Sequence, residues 1–450
     1  MELSDSLVAE CRGQFPALAR RVGHYSAIFF DGPGGTQAPS RVIDAVGHYL
    51  AHTNANHGGL YATSQESDAL LEEAHRGMAD FLGARDQDEI IFGQNMTSLT
   101  FAASRSLART WKPGDEIVVT RLDHDANVSP WVLAAHDARA TVRWVDVRRE
   151  DCTLNLDQFR HTINERTRLV AVGCASNATG GINPVRTIAD WTHAMDALVY
   201  LDAVHYAPHA LIDVEALGAD FLACSAYKFF GPHLGILWGR RELLQRLEAY
   251  KVRPAPDAPP GKWMTGTQSH EAITGALAAV EYLADLGRRV VLQNPLPAGE
   301  GGSRSETMGE GPRVGRSRHP NPLPKEEGEL SRRRALHAAY TAIGHYEREL
   351  CGRLLAGLSR IPDVRIVGIS DPARIRERVA TVSLTHRRLS APQLAEHLGR
   401  RGIFAWHGNY YALNLSQELG LEPDGMLRVG MVHYNTMEEV ERLLAELAAV

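Results

Sequence analysis

A lysine follows an apolar, strand-like run in the segment Phe221–Gly235, which reads FLACSAYKFFGPHLG. Lys228 stands after Ser225 and before a Gly-Pro turn at 231–232. A charged lysine is costly to bury unless it is paired or neutralised. Such a lysine is either a solvated loop residue or an amine of lowered pKa that forms a Schiff base with a carbonyl compound. This segment alone leaves both interpretations open.

A carboxylate occupies a comparable position upstream. Asp202 comes directly after an apolar run that ends at Leu201, and His205 follows it closely. A buried aspartate needs a cationic or hydrogen-bonding partner. A pyridinium nitrogen is one such partner, and an aspartate beside that nitrogen makes pyridoxal phosphate (PLP) an electron sink. An aspartate and a lysine at two strand ends therefore favour chemistry on an amine or a carbonyl group.

Two further polar sites also follow apolar runs. Thr97 and Ser98 open an apolar helix after the run Glu89–Phe92. Their hydroxyls and free backbone N–H groups suit a phosphate. A plain helix N-cap explains these two residues equally well. His124 follows the run Glu116–Thr120 and is either structural or functional. The functional interpretation is favoured because all four sites come in order, each at the end of a predicted strand.

The elements that must position these residues form an alternating pattern through the first 240 residues. The predicted strands are Glu89–Phe92, Glu116–Thr120, Thr141–Val147, Arg168–Gly173, Ala197–Asp202, Phe221–Cys224 and Gly235–Trp238. Amphipathic helices are predicted between several of them, for example at Ser67–Leu82 and Thr187–Met195. Continuous apolar strands that alternate with helices predict an α/β fold with a mainly parallel sheet covered on both faces. Ligands of such sheets bind beyond the carboxyl ends of the strands.

A second block with its own helices and strands begins near residue 330. The predicted elements are a long helix at Ser331–Ser359, strands at Val364–Val367, Ala380–Leu384, Ile403–Trp406 and Met426–Val432, and helices at Ala391–Arg400 and Met437–Ala449. This mixture predicts a smaller α/β lobe. We expect an N-terminal segment (1–30) that packs on this lobe, a large cofactor-binding domain (31–273) and a small domain (274–450).

The stretch Asn294–Gly328 differs in kind. Thirteen of its 35 residues are Gly or Pro, and NPLPAGEG at its start is nearly repeated as NPLPKEEG at its end. Such a composition cannot bury enough apolar surface to offset the entropy of ordering. We predict a disordered insertion rather than a functional lid.

The overall composition excludes several classes of protein. The chain is 44% hydrophobic and 23% charged, with 48 Lys and Arg against 54 Asp and Glu. These values are typical of soluble globular proteins, and a net charge of −6 gives no electrostatic reason to expect nucleic acid or a membrane as partner. Five scattered cysteines without zinc-ligand spacing predict reduced thiols and no structural metal. Without an apolar run of membrane-spanning length or a signal peptide, we expect a cytoplasmic protein.

With these residues in this order, the chain resembles the class V aminotransferases of PLP fold type I. Within them it is similar to the cysteine desulfurase and selenocysteine lyase-like group. The resemblance runs from FFD at 29–31 to YNT at 434–436 and leaves out only the Pro/Gly-rich insertion. It implies a large domain with a mainly parallel seven-stranded sheet between helices, a smaller C-terminal α/β domain, and PLP as the cofactor. The glycine-rich DGPGG at 31–35 lacks GxGxxG spacing, so no dinucleotide site is expected.

The resemblance also implies roles for particular residues. Lys228 would form the aldimine with the cofactor, Asp202 would pair with the pyridine nitrogen, and His124 would stack on the ring. Further contacts with the cofactor are implied for Met96, Thr97, Asn177, His205, Ser225 and Thr267.

Two motifs bear on the substrate and the assembly. Arg428, in MLRVG, matches the arginine that binds the substrate carboxylate, and a guanidinium suits a planar carboxylate. Asn177, in ASNATG, would contact the ring oxygen or the substrate. The Gly-Thr pair at Gly266 and Thr267 matches a motif that reaches the phosphate of a second subunit. The resemblance thus implies a homodimer with a shared active site.

Departures from the family pattern narrow the chemistry. Desulfurases of this group carry a mobile cysteine in the C-terminal lobe that takes the substrate sulfur as a persulfide. The corresponding stretch here, GIFAWHGNYY at 402–411, contains no cysteine, and the expected place is near Tyr411. His205 and Tyr227 also stand where glutamine and histidine are usual. A persulfide route is therefore not expected.

Three hypotheses follow for the function. The first is a PLP-dependent enzyme that acts on a small α-amino acid by transaminase or C–S lyase chemistry, with His407 as an additional substrate-binding acid or base. The second is an epimerase-like or lyase enzyme for a modified amino acid or peptide. The third, from another class, is a non-catalytic relative that serves as a binding or scaffold protein. The side chains of Trp406–Tyr411 are expected to decide among the reactions.

Overall fold

A computed structural model describes residues 1–293 and 330–450. The predicted insertion Asn294–Gly328 lies outside the described residues. The helices are α1 (Asp5–Gly13), α2 (Ser40–His48), α3 (Ala62–Leu82), α4 (Met96–Ala108), α5 (Ser129–Asp137), α6 (Leu156–Thr162), α7 (Val185–His193), α8 (Arg241–Arg246), α9 (His270–Gln293), α10 (Arg332–Leu358), α11 (Ala391–Arg400), α12 (Leu413–Glu418) and α13 (Met437–Ala448). The strands are β1 (Arg21–Val22), β2 (Tyr25–Ser26), β3 (Ile28–Phe29), β4 (Ile90–Gly93), β5 (Glu116–Thr120), β6 (Thr141–Val145), β7 (Val147–Arg148), β8 (Thr153–Leu154), β9 (Thr167–Gly173), β10 (Leu198–Asp202), β11 (Phe221–Ser225), β12 (Gly235–Gly239), β13 (Val364–Val367), β14 (Thr381–His386), β15 (Ile403–Phe404), β16 (Trp406–Gly408) and β17 (Met426–Gly430).

The large sheet has seven strands in the order β4-β12-β11-β10-β9-β5-β6. All seven predicted strands are present, with bounds that differ by at most two residues. Strand β12 runs antiparallel to both of its neighbours, whereas the other neighbouring pairs are parallel. The cause is the short connection at 226–234, because only antiparallel neighbours can be joined without a long crossover. Lys228 lies within this connection.

Helices cover both faces of the large sheet, as the continuous apolar strands predicted. Along β5, Ile117 and Val119 pack in one cluster with Leu99 of α4 and Trp131 of α5. The residue between them, Val118, belongs to the core on the other face. Since successive side chains of a strand point to opposite faces, one apolar strand contributes side chains to the hydrophobic cores on both faces of the sheet. The carboxyl ends of the strands therefore lie between two layers of packed helices.

A second, antiparallel sheet has the order β13-β14-β17-β16. The predicted strand Ile403–Trp406 is divided in the structure, because β15 pairs with β3 and β16 pairs with β17. The N-terminal strand β3 thus lies beside the small lobe. The buried side chains of α1 instead belong to the hydrophobic core that contains Val118 of the large sheet.

All core-forming side chains of α9 belong to this same core, together with side chains from Ala335 to Ile343 at the start of α10. We propose that the large domain extends past residue 273 into α10.

Candidate active site

A cavity of about 240 Å³ lies at the carboxyl ends of the large-sheet strands and is closed on one side by the small lobe. This volume is somewhat below the range of typical ligand pockets, which starts at about 300 Å³. The predicted site residues that line it are Met96, Thr97, His124, Asn177, Asp202, His205, Ser225, Lys228 and Arg428. Residues separated by more than 300 positions in the sequence therefore meet in one place.

Lys228 is buried, with 8% of its surface exposed. Its ammonium group donates a hydrogen bond to the carbonyl oxygen of Pro33, and Nζ lies 4.8 Å from the ring centroid of Tyr227. Burial and the nearby charge of Arg428 lower its pKa from 10.5 to about 7, while Asp202 acts in the opposite direction. A lysine with such a pKa supplies a free amine at neutral pH.

This lowered pKa gives a prediction for the cofactor-free protein. We expect Lys228 to react with an amine-directed reagent with a midpoint at a pH of about 7, because only the neutral amine is nucleophilic and its share rises as the pH passes the pKa. Peptide mass spectrometry after brief labelling measures this reactivity. In the control, protein unfolded in denaturant, the midpoint should return towards 10.5. Equal midpoints in the folded and unfolded protein would contradict the prediction.

Two carboxyl groups also line the cavity. Asp202 ends β10, and its Oδ1 accepts a hydrogen bond of 2.8 Å from the backbone N–H of Val204. Burial raises its pKa to about 6, while the charge of Lys228 opposes the shift. Asp123 was missed as a separate site residue, although it directly precedes His124. Burial, with a contribution from the charge of Asp202, raises the pKa of Asp123 to about 7.

Asp123 is held by the strand beside it. The backbone N–H of Gly173 donates to Oδ1 at 2.5 Å, and the hydroxyl of Thr120 donates to Oδ2. A Cβ atom at position 173 would lie only 2.6 Å from Oδ1. The glycine is therefore needed for the close approach of the carboxyl group.

His124 is neutral at physiological pH. Its Nδ1 accepts a hydrogen bond of 3.0 Å from the backbone N–H of Ala126, so the ring proton is on Nε2. Burial and the charge of Lys228 lower its pKa to about 4. Its ring lies 5.3 Å from the ring of Tyr411 with 28° between the planes.

The start of α4 supplies hydrogen-bond donors at another edge of the cavity. The side chain of Asn95 caps the helix by accepting from the N–H of Ser98 at 2.8 Å. The N–H groups of Met96 and Thr97, in the first turn, have no acceptor within the helix and suit an anion. A Cβ at Gly235 would collide with the backbone of Asn95, so this glycine allows β12 to support the helix start.

His205 joins the two lobes. Its Nε2 is 3.0 Å from the hydroxyl of Thr381, on β14. Its Nδ1 is buried without a hydrogen-bond partner, and burial lowers its pKa well below the usual value. An unpaired ring nitrogen in a cavity lining is suited to a polar atom of a ligand, since buried polar groups are normally paired.

Arg428 is the small lobe's cation in the cavity. Its Nη1 donates to the carbonyl oxygen of Asn177 at 2.7 Å, and its guanidinium lies 3.9 Å from the ring centroid of Tyr410. Burial lowers its pKa to about 10, so it remains charged at neutral pH. Within residues 1–293 and 330–450 it forms no salt bridge, although Asp31 is close enough to interact electrostatically. Burial raises the pKa of Asp31 to about 6.

Two predicted site residues are not brought to the cavity. His407 is exposed, whereas its neighbour Trp406 on β16 lines the cavity. Thr267 lies outside the lining of its own chain's cavity and follows Gly266, which borders a separate depression with Arg109 and Tyr250. The predicted role of Thr267 concerns a second subunit and stays a prediction.

The five cysteines do not contribute side chains to the cavity lining, although Cys174 and Cys224 are sequence neighbours of lining residues. All five are buried, and none lines the cavity. Burial raises the pKa of every one of these thiols. In the part of the chain that the structure describes, no cluster of His, Cys, Asp and Glu suits a metal ion. No helix there combines the length and apolarity that a membrane crossing requires.

The comparisons with known proteins agree with this fold. The family model described as aminotransferase class-V matches residues 28–294 and 336–443. The aminotransferase-like protein FGM3 of Gibberella zeae is 32% identical, with all of both chains covered. A probable cysteine desulfurase of Streptomyces coelicolor is 28% identical over 98% of this chain and 96% of that protein. The apo structure of a cysteine desulfurase from Thermococcus onnurineus superposes with a TM-score of 0.80 at 23% identity, covering 98% of this chain and 97% of the other.

The seven-stranded sheet, the small lobe and the cavity between them define an α/β protein of fold type I, as expected. The chain belongs to the class V aminotransferase family, a family of PLP-dependent enzymes.

Proposed function

We propose that this protein binds PLP in the cavity through Lys228 and acts on a small α-amino acid. The observation that carries the proposal is the meeting of a buried lysine of lowered pKa, a buried aspartate and a helix N-terminus in one cavity. Each of these groups is costly when buried without a partner. Together they match the aldehyde, the ring nitrogen and the phosphate of one molecule.

The remaining lining residues fit the same group. The free N–H groups at the start of α4, with the hydroxyls of Thr97 and Ser225, would hold the phosphate. Asp202 would keep a proton at the ring nitrogen, and the neutral ring of His124 would cover one face. Asn177 and the unpaired Nδ1 of His205 would bind the polar oxygens.

Bound PLP supplies an electrophilic carbonyl and a ring that accepts electrons from the substrate Cα. The chain's own groups would do the rest. Lys228, free as an amine near neutral pH, would move protons at Cα as general acid and base. Arg428 would bind and orient the α-carboxylate, since its charge has no salt-bridge partner among the described residues.

Replacing Arg428 with lysine should mainly weaken substrate binding. A point charge cannot form the paired hydrogen bonds that a guanidinium offers a carboxylate. We expect KM to rise about 10- to 100-fold, which corresponds to about 1.5–3 kcal/mol. Steady-state kinetics on the best substrate measures it, with the surface variant Arg353→Lys as control. A fall in kcat at constant KM would contradict a binding role.

The buried cysteines support chemistry without a protein persulfide. A thiolate is the nucleophile in sulfur transfer, and burial raises the pKa of all five thiols. By the resemblance to the desulfurases, Tyr411 would stand near the position where those enzymes carry their cysteine. We therefore propose transaminase or C–S lyase chemistry rather than persulfide-forming desulfuration.

Members of this family are commonly dimeric, and we propose a homodimer in which Thr267 contributes to the phosphate site of the other subunit. Thr267→Val should then weaken PLP binding without changing the lining of the chain's own cavity.

We also propose a cytoplasmic location, on the basis of the scattered cysteines.

A panel of amino acids tests the proposed function. Purified protein is loaded with PLP, reduced with borohydride and mapped by mass spectrometry, with the cofactor expected on Lys228. The loaded protein is then incubated with each amino acid, and keto acids, sulfide, alanine and changes of chirality are measured. Inversion without keto acid would favour the epimerase-like hypothesis. No cofactor on Lys228 and no product would favour a non-catalytic protein.

A further inference from the structure

We infer that Trp406 and Tyr411 form a side-chain subsite that selects α-amino acids with an aromatic or bulky apolar side chain. The inference rests on the proposed function and refines its substrate to a free α-amino acid whose side chain is bulky and apolar rather than small. It comes from the backbone and ring positions of the loop that follows β16.

The loop holds two consecutive tyrosines in a strained backbone conformation. Tyr410 and Tyr411 have φ values of 57° and 59°, in the left-handed region that residues with a side chain rarely adopt. Such strain persists only where the surroundings impose it, and it is concentrated at functional sites. Tyr410 and Tyr411 are adjacent in the sequence, and both line the cavity.

Two hydrogen bonds from the large domain and one within the loop hold this conformation. Asn177 Nδ2 donates to the carbonyl oxygen of Tyr410 at 2.9 Å, and the backbone N–H of Asp125 donates to that of Tyr411 at 2.7 Å. A third bond, of 3.1 Å, joins the N–H of Tyr411 to Oδ1 of Asn409. The loop of the small lobe is thereby fixed across the cavity mouth.

Both aromatic rings are at the mouth and largely uncovered. Tyr411 is 72% exposed and Trp406 is 57% exposed, and both line the cavity. The ring of Tyr411 stacks on His124. Large aromatic side chains are normally buried, so two that are held exposed beside a cavity are available to a ligand.

The strand register places Trp406 beside the carboxylate-binding group. Trp406 pairs directly with Arg428 across β16 and β17, and opposite residues of an antiparallel pair project to the same face. A Cβ at Gly34 would lie 3.6 Å from the indole ring, so the ring packs against the backbone there. Its position is therefore set by the fold.

These positions determine where a substrate side chain lies. With the α-carboxylate at Arg428 and the Cα near Lys228, the side chain is directed to the mouth between Trp406 and Tyr411. The cations among the lining residues, Lys228 and Arg428, are already used, so an acidic side chain has no partner there. An apolar or aromatic side chain would cover the exposed rings.

Kinetics on the PLP-loaded enzyme tests the inference. We expect kcat/KM for L-Phe and L-Leu to exceed that for L-Ala and L-Asp by about 10- to 100-fold, the range of discrimination that an apolar pocket provides. Tyr411→Ala and Trp406→Ala should each lower kcat/KM for L-Phe about 10-fold and change that for L-Ala by less than about 3-fold. Tyr411→Phe should keep the preference, because the ring is retained. Leu133→Ala, at another exposed apolar residue, is the control.

Equilibrium binding separates this inference from the proposed function. The probe is 3-phenylpropionate, which has the carboxylate and ring but no reactive amine, and it should bind at least about 10-fold more tightly than propionate. If no amino acid reacts but this difference is lost in Tyr411→Ala, the subsite stands and the proposed function fails. If amino acids react without side-chain preference, the subsite fails. Loss of self-association in both alanine variants, with unchanged preference, would show that the rings serve a subunit interface and overturn the inference.

Discussion

Replacing Lys228 with alanine should abolish turnover, with a loss of at least about 10³-fold, because both attachment of the cofactor and proton transfer at Cα are removed. The variant should also lose the borohydride-trapped adduct that marks the wild-type lysine. Steady-state kinetics and peptide mapping measure the two effects separately. The matched control is Lys112→Ala, since Lys112 lies outside the cavity lining.

The same variant should fold normally. The Lys228 amine is buried and its charged form is disfavoured, so its removal relieves a cost of burial. We expect the thermal midpoint of the cofactor-free variant to equal or exceed that of the wild type. Turnover that survives in a folded Lys228→Ala protein would end the proposed mechanism. An unfolded variant would show instead that the lysine is structural.

Replacing Asp202 with asparagine should lower turnover about 10²- to 10⁴-fold, the usual contribution of a proton-handling side chain. Asparagine has the same shape and its amide oxygen can still accept the Val204 N–H bond. It cannot carry the negative charge that would hold a proton at the cofactor ring nitrogen. The cofactor should therefore remain bound to Lys228 while the substrate Cα proton is lost slowly.

Deuterium exchange at the substrate Cα and the amount of bound cofactor measure these two quantities independently. Asp190→Asn, at an exposed residue of α7, is the control. Normal exchange at Cα in Asp202→Asn would refute the pairing with the ring nitrogen. Loss of the cofactor together with activity would assign Asp202 to binding instead.

The electrostatics of the cavity explain why these two changes should dominate. Lys228 and Asp202 have pKa values of about 7 and about 6, shifted towards each other mainly by burial. Groups perturbed in this way are typical of functional sites. Asp123, whose pKa burial raises to about 7, is a third titratable group in the same cavity. The three groups would titrate as a coupled set rather than singly.

The amino-acid sequence by itself determined the strands of the large sheet and the residues at their ends. Apolar runs of strand length fixed β4, β5, β9, β10, β11 and β12 to within a residue or two. Because a strand end is a local property, Asp202, His124 and Lys228 could be predicted to meet at one sheet edge.

Only the tertiary structure decided which distant groups complete the site. Asp31 and Pro33 belong to a glycine-rich stretch that the sequence excluded as a dinucleotide site, yet Pro33 accepts the Lys228 hydrogen bond and Asp31 lies near Arg428. Tyr410 lies under Arg428, and Trp406 rather than His407 faces the cavity. These contacts depend on strand register and on how the small lobe meets the large one. A shift of one residue turns every side chain of a strand to the other face, and no local pattern in the sequence encodes that register.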